Sequence, residues 1–148
     1  MSITLVGLLF FSLAYSIVSA QTDKVVEWSA SYDEAKNSVI IDADMKDDWV
    51  IYSQHTDPEG PIPLEFEFGM SEKIVLDGEV LELDKPITIM SDMFGVEVMK
   101  FKDKASFEQK LGAKPTKGNL SINVTYMTCD SKRCLPPTTV PLYVKFGS

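Results

Sequence analysis

The sequence predicts an all-β protein folded as an immunoglobulin-like β-sandwich. Short runs of β-forming residues recur along the chain at intervals of roughly ten residues, with turn residues between them. Almost nothing between those runs has helical spacing. The length, 148 residues, suits one domain, which can bury a core without a crosslink to hold it.

The strand candidates follow in order. Residues 25–32 are rich in β-formers and partly alternating, and 39–43 follow a turn at Lys36-Asn37. Residues 49–53 come next, after the polar Lys46-Asp47-Asp48. Residues 62–68 alternate apolar with acidic, which marks a half-buried strand. Shorter candidates lie at 74–76, 80–83, 87–89 and 96–101, with a further segment around Phe107. Residues 120–126 alternate over seven positions, and 141–146 close the chain in a strand that begins near Val140. Only 103–111 could be a helix, and its apolar spacing is poor. Asp57-Pro58-Glu59-Gly60-Pro61 reads as a rigid surface turn rather than a domain boundary.

Residues 1–20 stand apart. They hold no charged side chain and end in Val18-Ser19-Ala20, small residues of the kind signal peptidase accepts. The expectation is a signal peptide at 1–20 and a mature domain at 21–148. The competing reading, a membrane anchor, has an apolar run at the short end of what spans a bilayer. No other segment is long and apolar enough to cross, so no stable membrane insertion is expected after cleavage. The whole net charge of −8 falls in residues 21–148, which argues against nucleic acid as a partner. Export places Cys129 and Cys134 where disulfides persist. Two cysteines are too few for a disulfide framework or a zinc site.

The chemistry concentrates in Tyr126-Met127-Thr128-Cys129-Asp130-Ser131-Lys132-Arg133-Cys134-Leu135-Pro136-Pro137. A long alternating strand runs into Cys129, four polar residues follow, and two prolines after Cys134 forbid an immediate strand or helix. A short loop of this kind can bring two Cβ atoms within bonding distance. A disulfide closing so small a ring contributes only about 2 kcal/mol of stability, so it can open without unfolding the domain. Lys132 and Arg133 favour a thiolate, and Asp130 opposes one. Spacing alone leaves two readings open, a static loop staple or an exchangeable pair.

The pattern Tyr126-x-x-Cys129, four residues, Cys134-x-Pro136-Pro137 resembles the active-site loop of the N-terminal periplasmic domain of the thiol:disulfide interchange protein DsbD. Other segments resemble that family in the same order: Trp28 near the start, Trp49-Val50-Ile51-Tyr52-Ser53-Gln54, Gly60-Pro61-Ile62-Pro63, and Ser91-Asp92-Met93-Phe94-Gly95 in the region of the family's cap loop. The likeness spans about residues 25–146. It implies an immunoglobulin-like fold and a periplasmic domain whose reduced Cys129 and Cys134 pass two electrons to a partner through a mixed disulfide. It implies Cys134 as the partner-bonding sulfur, Phe94 as the aromatic cap, and Asp92 and Tyr52 as acidic and aromatic neighbours. The partners it implies are thioredoxin-like periplasmic proteins. The family protein also has a membrane domain and a C-terminal thioredoxin-like domain, whereas this chain ends at Ser148. A stand-alone domain would therefore need a separate membrane thiol reductase to recharge it. The alternative function is a non-enzymatic immunoglobulin-like binding or adaptor domain with a structural disulfide.

No cofactor and no metal are expected. His55, the one histidine, reads as a surface residue in a polar turn. Met90, Met93, Met99 and Met127 raise copper beside two thiols, but methionines in strands read as core filler. The acidic pairs Asp47-Asp48 and Glu65/Glu67 read as a turn and a solvated strand face.

Overall fold

Alternation decides which side of each strand is buried, and the best alternation lies in the central strands. A computed structural model of the chain describes residues 24–147; the expected signal segment 1–20 lies outside the described residues. These form β1 (Val26–Asp33), β2 (Ser38–Met45), β3 (Val50–Tyr52), β4 (Glu65–Phe68), β5 (Leu76–Glu82) and β6 (Ile87–Met90). β7 (Glu97–Lys102), β8 (Lys104–Leu111), β9 (Gly118–Tyr126), β10 (Thr128–Cys129) and β11 (Thr138–Phe146) follow. Among the described residues there is no helix, and none long and apolar enough to cross a membrane.

Three antiparallel sheets build an immunoglobulin-like sandwich: β1-β2-β8-β5, β11-β9-β4 and β10-β3-β7-β6. The first two share one core. Val39 and Ile41 of β2 and Phe107 of β8 are buried in the same cluster as Leu120, Ile122 and Val124 of β9. Aromatic rings join the two sheets: Trp28 lies 5.3 Å from Tyr126, and Phe66 lies 5.1 Å from Phe107.

Several strand limits differ from expectation. The segment around Phe107 is a strand, β8 at Lys104–Leu111, and not the helix that 103–111 could have formed. β8 is central, paired on one side with β2 and on the other with β5. Its burial obscures the alternation because Glu108 and Gln109 are both buried. The Gln109 amide donates to the carbonyls of Asp77 and Gly78, 3.3 and 3.1 Å away, where the register of β5 against β8 shifts. That irregularity lets one strand, β5 at Leu76–Glu82, join the end of candidate 74–76 to most of candidate 80–83. β4 begins only at Glu65, after Ile62, Pro63 and Leu64, consistent with Pro63 having no N–H to give a ladder. β11 starts at Thr138, earlier than expected, and pairs with β9 along its whole length.

Two features place the site. Asp103 adopts a left-handed φ of 65°, and there the chain passes from β7 in one sheet to β8 in another. Asp tolerates that conformation better than most side chains. The chain from β9 into β10 is interrupted at Met127, where it leaves β11 and β4 and pairs with β3. The cysteine-bearing strand thus continues a strand rooted in the core.

Phe107 is fully buried and packs against Trp28 of its own sheet, Phe66 of β4 and Phe101 of β7. Phe107→Ala is expected to cost about 3–5 kcal/mol, read as a lower urea midpoint with an unchanged slope. A loss below about 1 kcal/mol would contradict the core described above.

Candidate functional site

β3 has three residues, and its period of two divides them between two apolar clusters. Ile51 faces the main core. Val50 and Tyr52 face the other way, into a small cluster with Val98 and Cys129, against which Phe94, Val96, Met127 and Cys134 pack. The cysteine pair is therefore backed by its own apolar layer on the far side of the sheet from the main core.

The pairing of the cysteines follows from the ladder. Cys129 opposes Val50 of β3 and, in an isolated antiparallel bridge, Cys134. The backbone hydrogen bonds fall on the flanking residues: Leu135 N–H donates to the Thr128 carbonyl and Asp130 N–H to the Arg133 carbonyl, each 2.9 Å. Cys129 and Cys134 thus form a non-hydrogen-bonded pair, the kind in which opposite side chains approach closest. Their Cα atoms lie 4.0 Å apart and their sulfurs are joined in a disulfide. Pro136 and Pro137 begin just after Leu135, whose N–H closes the ladder.

Asp130 shapes the turn. Its Oδ1 accepts from the N–H groups of Lys132 and Arg133, each 2.8 Å away, an Asx-type turn. Those two backbone donors, first Lys132 and then Arg133, hold its carboxyl below its ordinary 3.8. Arg133 lies over the Trp49 indole, 5.7 Å from the ring centre, a cation–π contact of about 0.5–1 kcal/mol. Thr128 Oγ1 donates to the Val50 carbonyl at 2.8 Å.

The two sulfurs differ in access. Cys129 is 1% exposed, whereas Cys134 is partly exposed. The loop between β6 and β7 lies over them. It is closed by Ser91 N–H to the Val96 carbonyl, 2.9 Å, and Gly95 N–H to the Ser91 carbonyl, 2.8 Å. Gly95 takes φ 71°, which favours glycine. Within this loop the Phe94 ring meets Tyr52 edge-on, with centres 6.0 Å apart and planes at 88°. From below, Gly60 comes so close that a Cβ there would meet Val96 Cγ2 at 2.9 Å and Phe94 Cβ at 3.5 Å. Burial raises the Tyr52 phenol above its ordinary 10.0. It therefore stays neutral at physiological pH and puts no negative charge beside a thiolate.

Sequence reasoning weighed Met93 for copper and set it aside as core filler. Its thioether sulfur lies 3.2 Å from Cys134 Sγ. A disulfide sulfur has no proton to donate, so this is a sulfur–sulfur contact. Met90 and Met93 are 65% and 49% exposed, so they are not core filler, contrary to expectation. Their spacing, Met90-Ser91-Asp92-Met93, was the signal in the sequence. Both line a cavity of about 340 Å³ together with Tyr52, Asp92, Cys129 and Asp130. Asp92 is thus placed near the pair, on an exposed rim. His55 is exposed and is not among the residues lining this cavity. A larger cavity, about 660 Å³, opens between β4 and β5 and includes none of the expected site residues.

The chain matches the family model described as "Thiol:disulfide interchange protein DsbD, N-terminal" over residues 19–142. It belongs to that family. Solved structures agree on the fold. The reduced DsbD N-terminal domain of Neisseria meningitidis is similar at 13% identity and TM-score 0.63, covering 84% of this chain and 88% of that one. The DsbD N-terminal domain in complex with the PilB N-terminal domain, from the same organism, is similar at 12% identity and TM-score 0.60, covering 81% and 82%. The N-terminal periplasmic domain of ScsB from Proteus mirabilis is similar at 17% identity and TM-score 0.54. That match covers 80% of this chain but 44% of the ScsB chain. Among curated proteins, none matches it by sequence. The resemblance read from the cysteine loop is therefore correct at the level of family and fold.

Because the folded Asp130 value lies below the ordinary one, its contribution to loop stability is present above about pH 3.8 and is lost as pH falls through the lowered value. An NMR titration should show Asp130 and the amides of Lys132 and Arg133 shifting together below pH 3.8. A carboxyl titrating at or above 3.8 would contradict the Asx turn.

Proposed function

We propose that the domain is exported to a bacterial periplasm and passes electrons to partner proteins through a reversible Cys129–Cys134 disulfide. The observation that carries this reading is the siting of the bond. It pairs a buried cysteine with a partly exposed one, on the far side of a sheet from the main core. Family membership supports the same chemistry.

The exchange proceeds in two steps. In the reduced domain the Cys134 thiolate attacks a sulfur of the partner's disulfide. The partner's S–S bond breaks, one partner sulfur leaves as a thiolate, and a mixed disulfide forms. The Cys129 thiolate then attacks Cys134 Sγ and expels the second partner thiolate. The partner gains two electrons and this domain regains its disulfide. Cys129, sealed beneath Tyr52 and Val98, serves as the resolving sulfur because bulk thiols do not reach it.

Oxidised Cys134 is covered by Met93, and Phe94 locks the loop against Tyr52. In this reading Phe94 is the cap, with Met93 as the side chain in contact with the sulfur. The loop moves aside when a partner docks, and the exposed Ile89, Met90 and Met93 become covered by it. The fitting partner is a thioredoxin-like protein, and a membrane thiol reductase would recharge the domain. The solved complex of a DsbD N-terminal domain with a PilB N-terminal domain supports a protein partner at this fold. The solved reduced form supports two stable redox states.

Cys129→Ser should trap a mixed disulfide through Cys134, seen as a shifted band on a non-reducing gel, while Cys134→Ser should trap far less. The wild-type couple should have a potential above about −300 mV, the range of inert structural bonds. A potential below that, with no trapped species from either variant, would leave the disulfide a staple in a binding module.

Phe94→Ala and Met93→Ala should each speed reduction of the disulfide by a small thiol such as glutathione, followed by thiol labelling. Rates equal to wild type in both variants would remove the capping role.

A further inference from the structure

Two exposed methionines, Met90 and Met93, stand beside one redox pair. Met93 Sδ already touches Cys134 Sγ at 3.2 Å, and Met90 and Met93 line the same cavity as Cys129. Opening the disulfide would leave two thiolates and a thioether converging on one small volume. Asp48, Asp92 and Asp130 line that cavity too, with Lys100 and Lys102 opposing them. His55 is not among its lining residues. Among the described residues, no group of three or more His, Cys, Asp or Glu side chains is disposed to hold a metal. The available donors are therefore sulfurs.

Ligand softness decides which ion such a set would take. Thiolate and thioether sulfurs together favour Cu(I). Zinc would need imidazole, carboxylate or further thiolate to complete four ligands, and among the described residues no group of three or more His, Cys, Asp or Glu is placed to supply them. We propose that the reduced domain binds one Cu(I) ion through Cys129 Sγ, Cys134 Sγ and Met93 Sδ, with Met90 on the same cavity wall. Copper stays in the +1 state throughout. Two S–H bonds give way to two sulfur–copper bonds, and the thiol protons go to solvent. The oxidised domain offers no thiolate and cannot form the site. Copper binding and electron carriage are then mutually exclusive uses of one pair of sulfurs.

The inference needs the thiols reduced by any means and does not depend on exchange with a protein partner. The test uses the domain reduced with a phosphine, desalted without oxygen, and checked for two free thiols. It is then titrated with Cu(I) against the coloured Cu(I) chelator bicinchoninate. The expected result is one equivalent of Cu(I) taken from the chelator, with a thiolate-to-copper charge-transfer band in the ultraviolet. Oxidised protein should take none. Met93→Leu conserves volume and should keep the fold; it should weaken Cu(I) binding by roughly tenfold, about 1.4 kcal/mol. Cys129→Ser and Cys134→Ser should each abolish the one-to-one site. Failure of the two-thiol protein to compete for Cu(I) overturns the proposal and leaves electron exchange untouched. Equal affinity in Met93→Leu also overturns it, since the ion would then be held by a bare dithiol.

Discussion

A pair of backbone hydrogen bonds governs the site. Leu135 N–H to Thr128 and Asp130 N–H to Arg133 make Cys129 and Cys134 a non-hydrogen-bonded pair in a tight antiparallel turn. That register brings the sulfurs together before any covalent bond is considered. It also means that the backbone, not the S–S bond, holds the turn. Asp130 adds two more backbone contacts, and Arg133 fastens the turn to Trp49, itself part of the main core. The ring that the disulfide closes is small, so its chain-entropy contribution is only about 2 kcal/mol. Scaffold and switch are therefore separable. The sandwich rests on the packing of β2, β8 and β9, and the redox pair rests on a hairpin at the end of one of those strands.

The same separation explains the second apolar cluster. Had Cys129 pointed into the main core, opening its bond would have disturbed Phe107 and its neighbours. Alternation along β3 prevents that by sending Ile51 one way and Val50 and Tyr52 the other. The small cluster keeps water and stray thiols from Cys129 while leaving Cys134 at its edge. Tyr52 and Phe94 form the wall of this compartment through an edge-on contact, which adds about 0.5–1.5 kcal/mol beyond burial.

Much of this was legible in the sequence where a single strand carries the pattern. The strict alternation of residues 120–126 marks β9 because one face meets the core and the other meets water. The cysteine loop was legible because turn residues, spacing and prolines are all local. β8 was legible only as a segment around Phe107, without its limits, because a buried Gln109 serves the bulge of β5, a polar need created by tertiary structure. Candidates 74–76 and 80–83 were read as separate because the register shift between Asp77 and Leu81 interrupts the pattern within β5. Phe94 could be placed beside the cysteines only through resemblance, and Met93 was read as core filler because its contact depends on how the loop between β6 and β7 folds back over Cys134. Asp92 proved to be a rim residue of the cavity, while Asp130 proved to organise the turn.

The central claim is that the bond between Cys129 and Cys134 can open while the sandwich stays closed. Native-state hydrogen exchange on the oxidised and reduced domain tests it most directly. Amides of β2, β8 and β9 should keep nearly the same protection in both states, within the roughly 2 kcal/mol that the crosslink contributes. Changes should concentrate in residues 128–135 and 91–96. Collapse of protection throughout the core strands on reduction would contradict the account and make the disulfide a structural necessity.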